Sequence, residues 1–266
     1  MKKLLAVIFI LYAAAAAYVS SLFYIEPLAC TRPVHDKADL SEIMKKSRSA
    51  YTESDYELIY RQTGLGRTAV DSLDDMRRLA DYQTSYFADV SYTCKMNSPV
   101  SFEERITDSQ VLLAPLEDGD ILVTNSSHVF SWRNGHAAIV TDAAKGVTLE
   151  AVVIGKNSKT QDISKWTRYP NFAVLRLKGT DKAERAAIAR SAMEYLNDIP
   201  YRVTIGVYPV KYSRLDSVRG TQCAHLVWLA YAAHGYDIDS NHGLIVTPKD
   251  ILESDLFEVV QTFGMG

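Results

Sequence analysis

One cysteine, met where a polar loop turns into an apolar helix, constrains this chain more than any other feature. Cys223 sits in Gly220-Thr221-Gln222-Cys223-Ala224-His225-Leu226-Val227-Trp228. Upstream come Gly135-His136-Ala137-Ala138-Ile139-Val140 and then Thr148-Leu149-Glu150-Ala151. A thiol at a helix start, a histidine opening one strand and a carboxylate on the next are the parts of a cysteine nucleophile system. Any fold must bring these three together in the chain order His, Glu, Cys.

The helix start matters for the thiol. Thr221 or Gln222 is placed to cap the helix, so Cys223 falls in its first turn, among free N–H groups and the positive end of the dipole. Both favour thiolate over thiol, and the same N–H groups suit an oxyanion. On the strands, His136, Ala138 and Val140 share one face, and Thr148, Glu150 and Val152 share one face. A three-residue loop at Ala143-Ala144-Lys145 sets Ala138 opposite Glu150. His136 and Glu150 are then diagonal neighbours, roughly 7–8 Å apart at Cβ. A one-residue slip would separate them. A carboxylate so placed fixes the imidazole tautomer and raises its basicity.

The remainder of the chain supplies context. From Asp36 to about residue 106 it reads helical, with Leu40, Ile43 and Met44 on one face and Tyr56, Ile59 and Tyr60 on another. Ser101-Phe102-Glu103-Glu104 reads as a capping box. From Leu112 onward short β-like runs follow at 121–124, 136–141, 147–153 and 172–177. Asp181 with Glu184 caps a helix to about residue 197, and Thr247-Pro248 opens a short closing helix. His128 and Arg133 lie between two runs and read as a solvated loop.

Met1-Lys2-Lys3 precedes 22 uncharged residues, Leu4 to Ile25, ended by Glu26-Pro27. A signal-peptide core is about 7–15 residues and a spanning helix needs about 20, so an uncleaved signal-anchor, a transmembrane helix, is expected. Cleavage near Ala13 to Ala17, or lipid processing at Leu28-Ala29-Cys30, are the alternatives. All three export the rest of the chain, to an extracytoplasmic or membrane-anchored position, with the cytoplasmic membrane as a partner. Outside the cytosol Cys30 and Cys94 pair, carry lipid or stay as thiols, and the residues leave these open. The net charge of −3, with no dense Lys/Arg block, gives nucleic-acid binding no electrostatic support.

The blocks Leu116-Glu117-Asp118-Gly119-Asp120-Ile121 and Gly135-His136-Ala137-Ala138-Ile139-Val140 resemble the histidine half of NlpC-type cysteine peptidases. Ile199-Pro200-Tyr201 and Thr221-Gln222-Cys223-Ala224-His225-Leu226-Val227-Trp228 resemble their cysteine half. In that superfamily the cysteine half usually comes first. Here the halves are exchanged, as in the circularly permuted YiiX/YebB-like branch, whose C-terminal end resembles Val246-Thr247-Pro248-Lys249-Asp250. The resemblance covers about residues 112 to 263. It implies an α+β fold of the permuted papain-like type, with a small antiparallel sheet packed on the cysteine-bearing helix. It also implies Cys223 as nucleophile, His136 as general base and Glu150 as the group orienting it, with no cofactor. Tyr201 matches the family's Pro-Tyr position and, with Thr221 and Gln222, is expected to bind substrate. Ala224-His225 departs from the Ser-Glu or Ser-Gly that often follows the cysteine. The chain divides into 1–29 as signal peptide or signal-anchor, 30–110 as a helical region and 111–266 as the hydrolase domain.

The reaction implied is cleavage of an amide or ester by acyl transfer through cysteine, on cell-wall peptides. Permuted papain-like folds also resemble lipid acyltransferases of the lecithin–retinol type, so an N-acyl lipid is a second substrate class. A non-catalytic binding module would leave Cys223 unreactive. A metal site is a further alternative, since His128, His136, His225, His234, His242, Glu150 and Cys223 include ligand types. No compact Cys-x-x-Cys or His-x-x-x-His pair supports it.

Overall fold

The computed structural model describes residues 2–22, 30, 32–129, 132–207 and 211–265. Helix α1 (Lys2–Leu22) exposes its apolar side chains. Yet no helix among the described residues is long and apolar enough to cross a membrane, which overturns the expectation of a transmembrane helix. The side chains described on α1 are residues 4–18. Glu26-Pro27 and Leu28-Ala29 lie outside the described residues.

Four short helices follow: α2 (Ser41–Lys45), α3 (Glu53–Thr63), α4 (Arg67–Asp71) and α5 (Leu79–Tyr86). A capping box between Thr52 and Asp55 starts α3, and Gly64 ends it with φ of 72°. The expected helix over the next stretch is instead a hairpin, β1 (Tyr92–Ser98) and β2 (Ser101–Ile106). Glu103 and Glu104 belong to β2 rather than to a helix cap. Their partners are distant in sequence: Tyr169 for Glu103, and His128 and Arg133 for Glu104.

The remaining strands are β3 (Ile121–Thr124), β4 (Ser127–Val129), β5 (Trp132–Arg133), β6 (His136–Asp142), β7 (Val147–Glu150), β8 (Lys159–Asp162) and β9 (Phe172–Leu177). Helices α6 (Lys182–Leu196), α7 (Cys223–Ala232) and α8 (Pro248–Leu252) precede a last strand, β10 (Phe257–Phe263). Two antiparallel sheets result, ordered β10-β9-β3-β6-β7-β8 and β1-β2-β4-β5. The class is α+β, as expected.

Alternation along the six-stranded sheet explains why its strands read as continuous apolar runs. Ile121, Val123, Ala137, Ile139, Ala173 and Leu175 join a core with α6 and α7. Leu122, Ala138, Val140, Phe172 and Val174 join a second core with residues of α3, α4 and α5. Both faces of the sheet are therefore covered by helices. The N-terminal helices are also stitched to β10, since Gly66 N–H donates to Val260 O at 2.9 Å and Thr262 N–H to Gly64 O at 2.8 Å.

The Asp118-Gly119-Asp120 block anchors the start of this sheet. Asp120 is fully buried and accepts from Arg176 Nε at 2.8 Å and Nη2 at 2.7 Å. Asp118 accepts from Ala143 N–H at 2.7 Å, holding the β6–β7 turn.

Candidate active site

The β6–β7 hairpin sets the histidine and the carboxylate. Its loop is the four residues 143–146, one longer than expected, and a bulge between Val140 and Asp142 absorbs the extra residue. Ile139 pairs with Leu149 and Val140 with Thr148, the register that makes His136 and Glu150 diagonal neighbours. Gly135 leads into His136 with φ of 71°, and a Cβ there would lie 2.8 Å from Thr124 O, so this approach needs glycine.

His136 Nε2 lies 2.6 Å from Glu150 Oε2. Glu150 is also hydrogen-bonded by Thr148 Oγ1 at 2.7 Å, by Trp166 Nε1 at 3.1 Å and by Lys165 Nζ. The Trp166 ring stacks on the imidazole, with centroids 5.8 Å apart and 16° between planes. His136 and Glu150 are 3% and 1% exposed, so water screens neither. Burial would raise the Glu150 carboxyl, but the Lys165 charge and the His136 and Lys165 hydrogen bonds hold it well below the usual carboxylate range. An ionised carboxylate only accepts, so Nε2 carries the proton and Nδ1 is left for the thiol.

Cys223 is the first residue of α7, and Gln222 caps it by accepting from Ala224 N–H at 3.0 Å. The thiol is 4% exposed, donates to Gln222 Oε1 at 3.4 Å and lies beside His136, whose pKa it influences. Burial alone would lower the His136 pKa. Hydrogen bonds to Cys223 and Glu150, and the negative charge of each, override it and push the imidazole up to about 9. An imidazolium between a carboxylate and a thiol is thereby favoured at neutral pH. The Cys223 N–H, at the first helical position, has no intrahelical acceptor and is available to an oxyanion.

Tyr201 faces the same centre. Burial, and then the charge of Cys223, push its phenol well above the usual range, so it stays a donor. The side chains of Thr221 and Gln222, expected to bind substrate, are both engaged within the protein. Thr221 is fully buried, its hydroxyl 3.1 Å from His225 Nδ1. The Gln222 amide donates to Val246 O at 2.7 Å while its oxygen caps α7. Both are committed to holding the Cys223 loop in shape.

Three residues around Glu150 were not foreseen. Thr148 had a signal, because it shares the Glu150 face two residues away. Lys165 and Trp166 come from a single 3-10 turn, Ile163–Arg168, after β8. Only tertiary packing brings them here.

The other histidines lie elsewhere. His128 bonds Glu104 at 3.0 Å and stacks on Phe102, so with Arg133 it belongs to a buried network rather than a solvated loop. His225 bonds Lys211 O at 2.8 Å, His234 pairs with Ser191 at 3.0 Å and His242 with Asp237 at 2.9 Å. Among the described residues no three His, Cys, Asp or Glu side chains form a group suited to a metal ion. Cys30 and Cys94 are separate thiols.

No protein-family profile matches the chain, and no curated protein matches it. Among solved structures, the chain is similar to the crystal structure of the metalloprotein YiiX from Escherichia coli O157:H7. That match has a TM-score of 0.42 and 18% identity, covering 55% of this chain and 97% of that one. YiiX is thus a weak structural neighbour. A likeness of this size carries no argument about activity, and the metal belongs to the description of YiiX alone.

Proposed function

We propose that this chain is an exported thiol hydrolase with a circularly permuted papain-like, NlpC-type arrangement. It cleaves an amide or ester through an acyl-cysteine, on cell-wall peptides. The observation that carries the reading is the buried imidazole held between Glu150 and Cys223 at the start of a helix. In the first half-reaction the Cys223 sulfur attacks the carbonyl carbon, and first-turn N–H groups take up the oxyanion. A C–S bond forms, the C–N or C–O bond breaks, and His136 gives its proton to the leaving amine or alcohol. In the second, water attacks the thioester. His136 takes a proton from that water, the acid departs and the Cys223–His136 pair returns to its starting state. Glu150 keeps the imidazole in one tautomer throughout.

Lipid acyl transfer is the second reading, and one observation favours it. Val203, Val207 and Leu244 are all more than half exposed, on two loops that meet where Gly206 approaches Leu244 O. Leu244 lies two residues before Val246, whose carbonyl holds Gln222. Incubating the protein with peptidoglycan fragments and with N-acyl lipids, and weighing the intact chain, separates the two by the mass added at Cys223. A Cys223→Ala protein that stays folded and keeps full turnover would sink the thiol mechanism.

A further inference from the structure

A groove of about 670 Å³ runs between the β1–β2 hairpin and the segment after β7, lined by Lys95, Arg105, Lys159, Lys165 and Arg168 with Glu103 as its one acid. A second hollow of about 440 Å³ shares Asn97, Val152, Val153 and Lys159 with it and adds Lys156 and Asp198. The two are therefore one continuous trough around residues 151–159. Two of its cations are already neutralised, Arg105 by Glu103 and Lys165 by Glu150. Among the described residues, Lys95, Lys156, Lys159 and Arg168 have no carboxylate paired with them, and all four are exposed. The trough is thus locally cationic in a chain whose net charge is −3.

Both ends of the trough touch the candidate site. At one end Lys165 reaches Glu150, the carboxylate behind His136. At the other, the Lys156 carbonyl accepts from Tyr201 N–H at 3.0 Å, and Tyr201 faces Cys223. The trough therefore borders the groups that support the candidate site, the Glu150 carboxylate and the Tyr201 backbone. The lining decides what kind of molecule fits. Asn97 and Gln161 offer amide donors and acceptors, and Ile106, Val152 and Val153 supply the apolar residues of the lining. The four unpaired cations are what select a ligand here, and they favour a peptide that carries carboxylates.

Resting on the thiol-hydrolase reading above, we infer that this trough holds the carboxylate-bearing part of a peptide substrate. The β1–β2 hairpin, which lies outside the region resembling NlpC-type peptidases, is then its outer wall. Two readouts on the full chain test this. Tetramethylrhodamine-labelled triglutamate and triglutamine peptides are titrated into Cys223→Ala protein by fluorescence anisotropy, with and without Lys95→Glu, Lys156→Glu and Lys159→Glu. Triglutamate should bind tighter than triglutamine, weaken with salt and lose about tenfold or more in the charge-reversed protein. Equal binding of the two peptides, or no loss in the variant, overturns the inference. So does lysine-dependent binding of phosphatidylglycerol vesicles without peptide binding. The three lysines are exposed, and single Lys→Gln changes, expected to weaken triglutamate binding in part, cover the case in which the triple variant fails to fold. Separately, the rate of Cys223 alkylation by iodoacetamide reports on the thiol reading. A reactive Cys223 with no peptide preference defeats the trough alone, whereas an inert Cys223 defeats the hydrolase reading.

Discussion

Replacing Glu150 with Gln keeps the side-chain shape and removes its charge. In the native chain this carboxylate accepts from His136, Thr148, Trp166 and Lys165. A glutamine oxygen still serves one side of that set, but its NH2 then points at groups that are themselves donors. The size of the effect follows from His136, whose pKa rises from 6.5 to about 9 against the opposing effect of burial. At 1.36 kcal/mol per unit that is about 3 kcal/mol in favour of the imidazolium, shared between Cys223 and Glu150. With Glu150 neutral, burial gains ground and the midpoint should fall clearly below about 9. The assay is a pH titration of the His136 Cε1–H resonance in wild type and Glu150→Gln. Turnover should fall with it, because the imidazole loses the group fixing its tautomer. A folded Glu150→Gln protein with an unmoved His136 midpoint would refute the reasoning, since Glu150 would then exert no charge on the imidazole.

Three further outcomes are expected. The raised His136 pKa contributes stability that is complete below its unfolded value of 6.5 and is lost as pH rises through about 9. The lowered Glu150 pKa contributes stability present above its unfolded value of 4.5 and lost as pH falls. Urea midpoints against pH should therefore plateau between these two values, and His136→Gln should flatten the alkaline side. Gly66→Ala places a Cβ 1.8 Å from Val259 O, so thermal melting should show a loss of about 2 kcal/mol or more as the N-terminal helices part from β10. Arg176→Met strands the buried Asp120 carboxylate and should cost about 3–5 kcal/mol by urea titration, much of it recovered when Asp120 is also made apolar.

The site was partly legible because its first two members are local. His136 and Glu150 sit on one hairpin, so strand period makes them diagonal neighbours once the register is set, and a four-residue loop with a bulge sets it. Cys223 was legible as a helix start because Gln222 precedes an unbroken apolar run. The residues that buttress Glu150 were not, since Lys165 and Trp166 are contributed by a turn with no periodic signal. Hairpin β1–β2 was misread for a related reason. Its Ser-x-x-Glu pattern is a helix cap only when helix follows, and the partners that make Glu103 and Glu104 tolerable in a buried strand lie at Tyr169, His128 and Arg133. Strand β10 went unseen because its pairing is with β9, some eighty positions earlier in the chain. The transmembrane expectation rested on run length, and no helix among the described residues is long and apolar enough to meet it.

Chain order has no bearing on the chemistry once the elements meet, but it determines how the site can be broken. The His136–Glu150 geometry is fixed within one hairpin, whereas the Cys223–His136 geometry depends on how α7 seats against the sheet. Tyr231, fully buried on α7, donates its hydroxyl to Gly119 O at the turn that opens β3, and so ties that helix to the sheet. Tyr231→Phe removes this tie and leaves a buried carbonyl unpaired, at a cost of about 1–3 kcal/mol. The helix should then sit less firmly while the hairpin is untouched. Iodoacetamide should alkylate Cys223 more slowly at neutral pH as the thiol drifts from the imidazole. The His136 Nε2–H resonance, reporting the bond to Glu150, should stay in place. Loss of that resonance together with the alkylation rate would mean that the two contacts form one cooperative unit, and the division between hairpin and helix would be wrong.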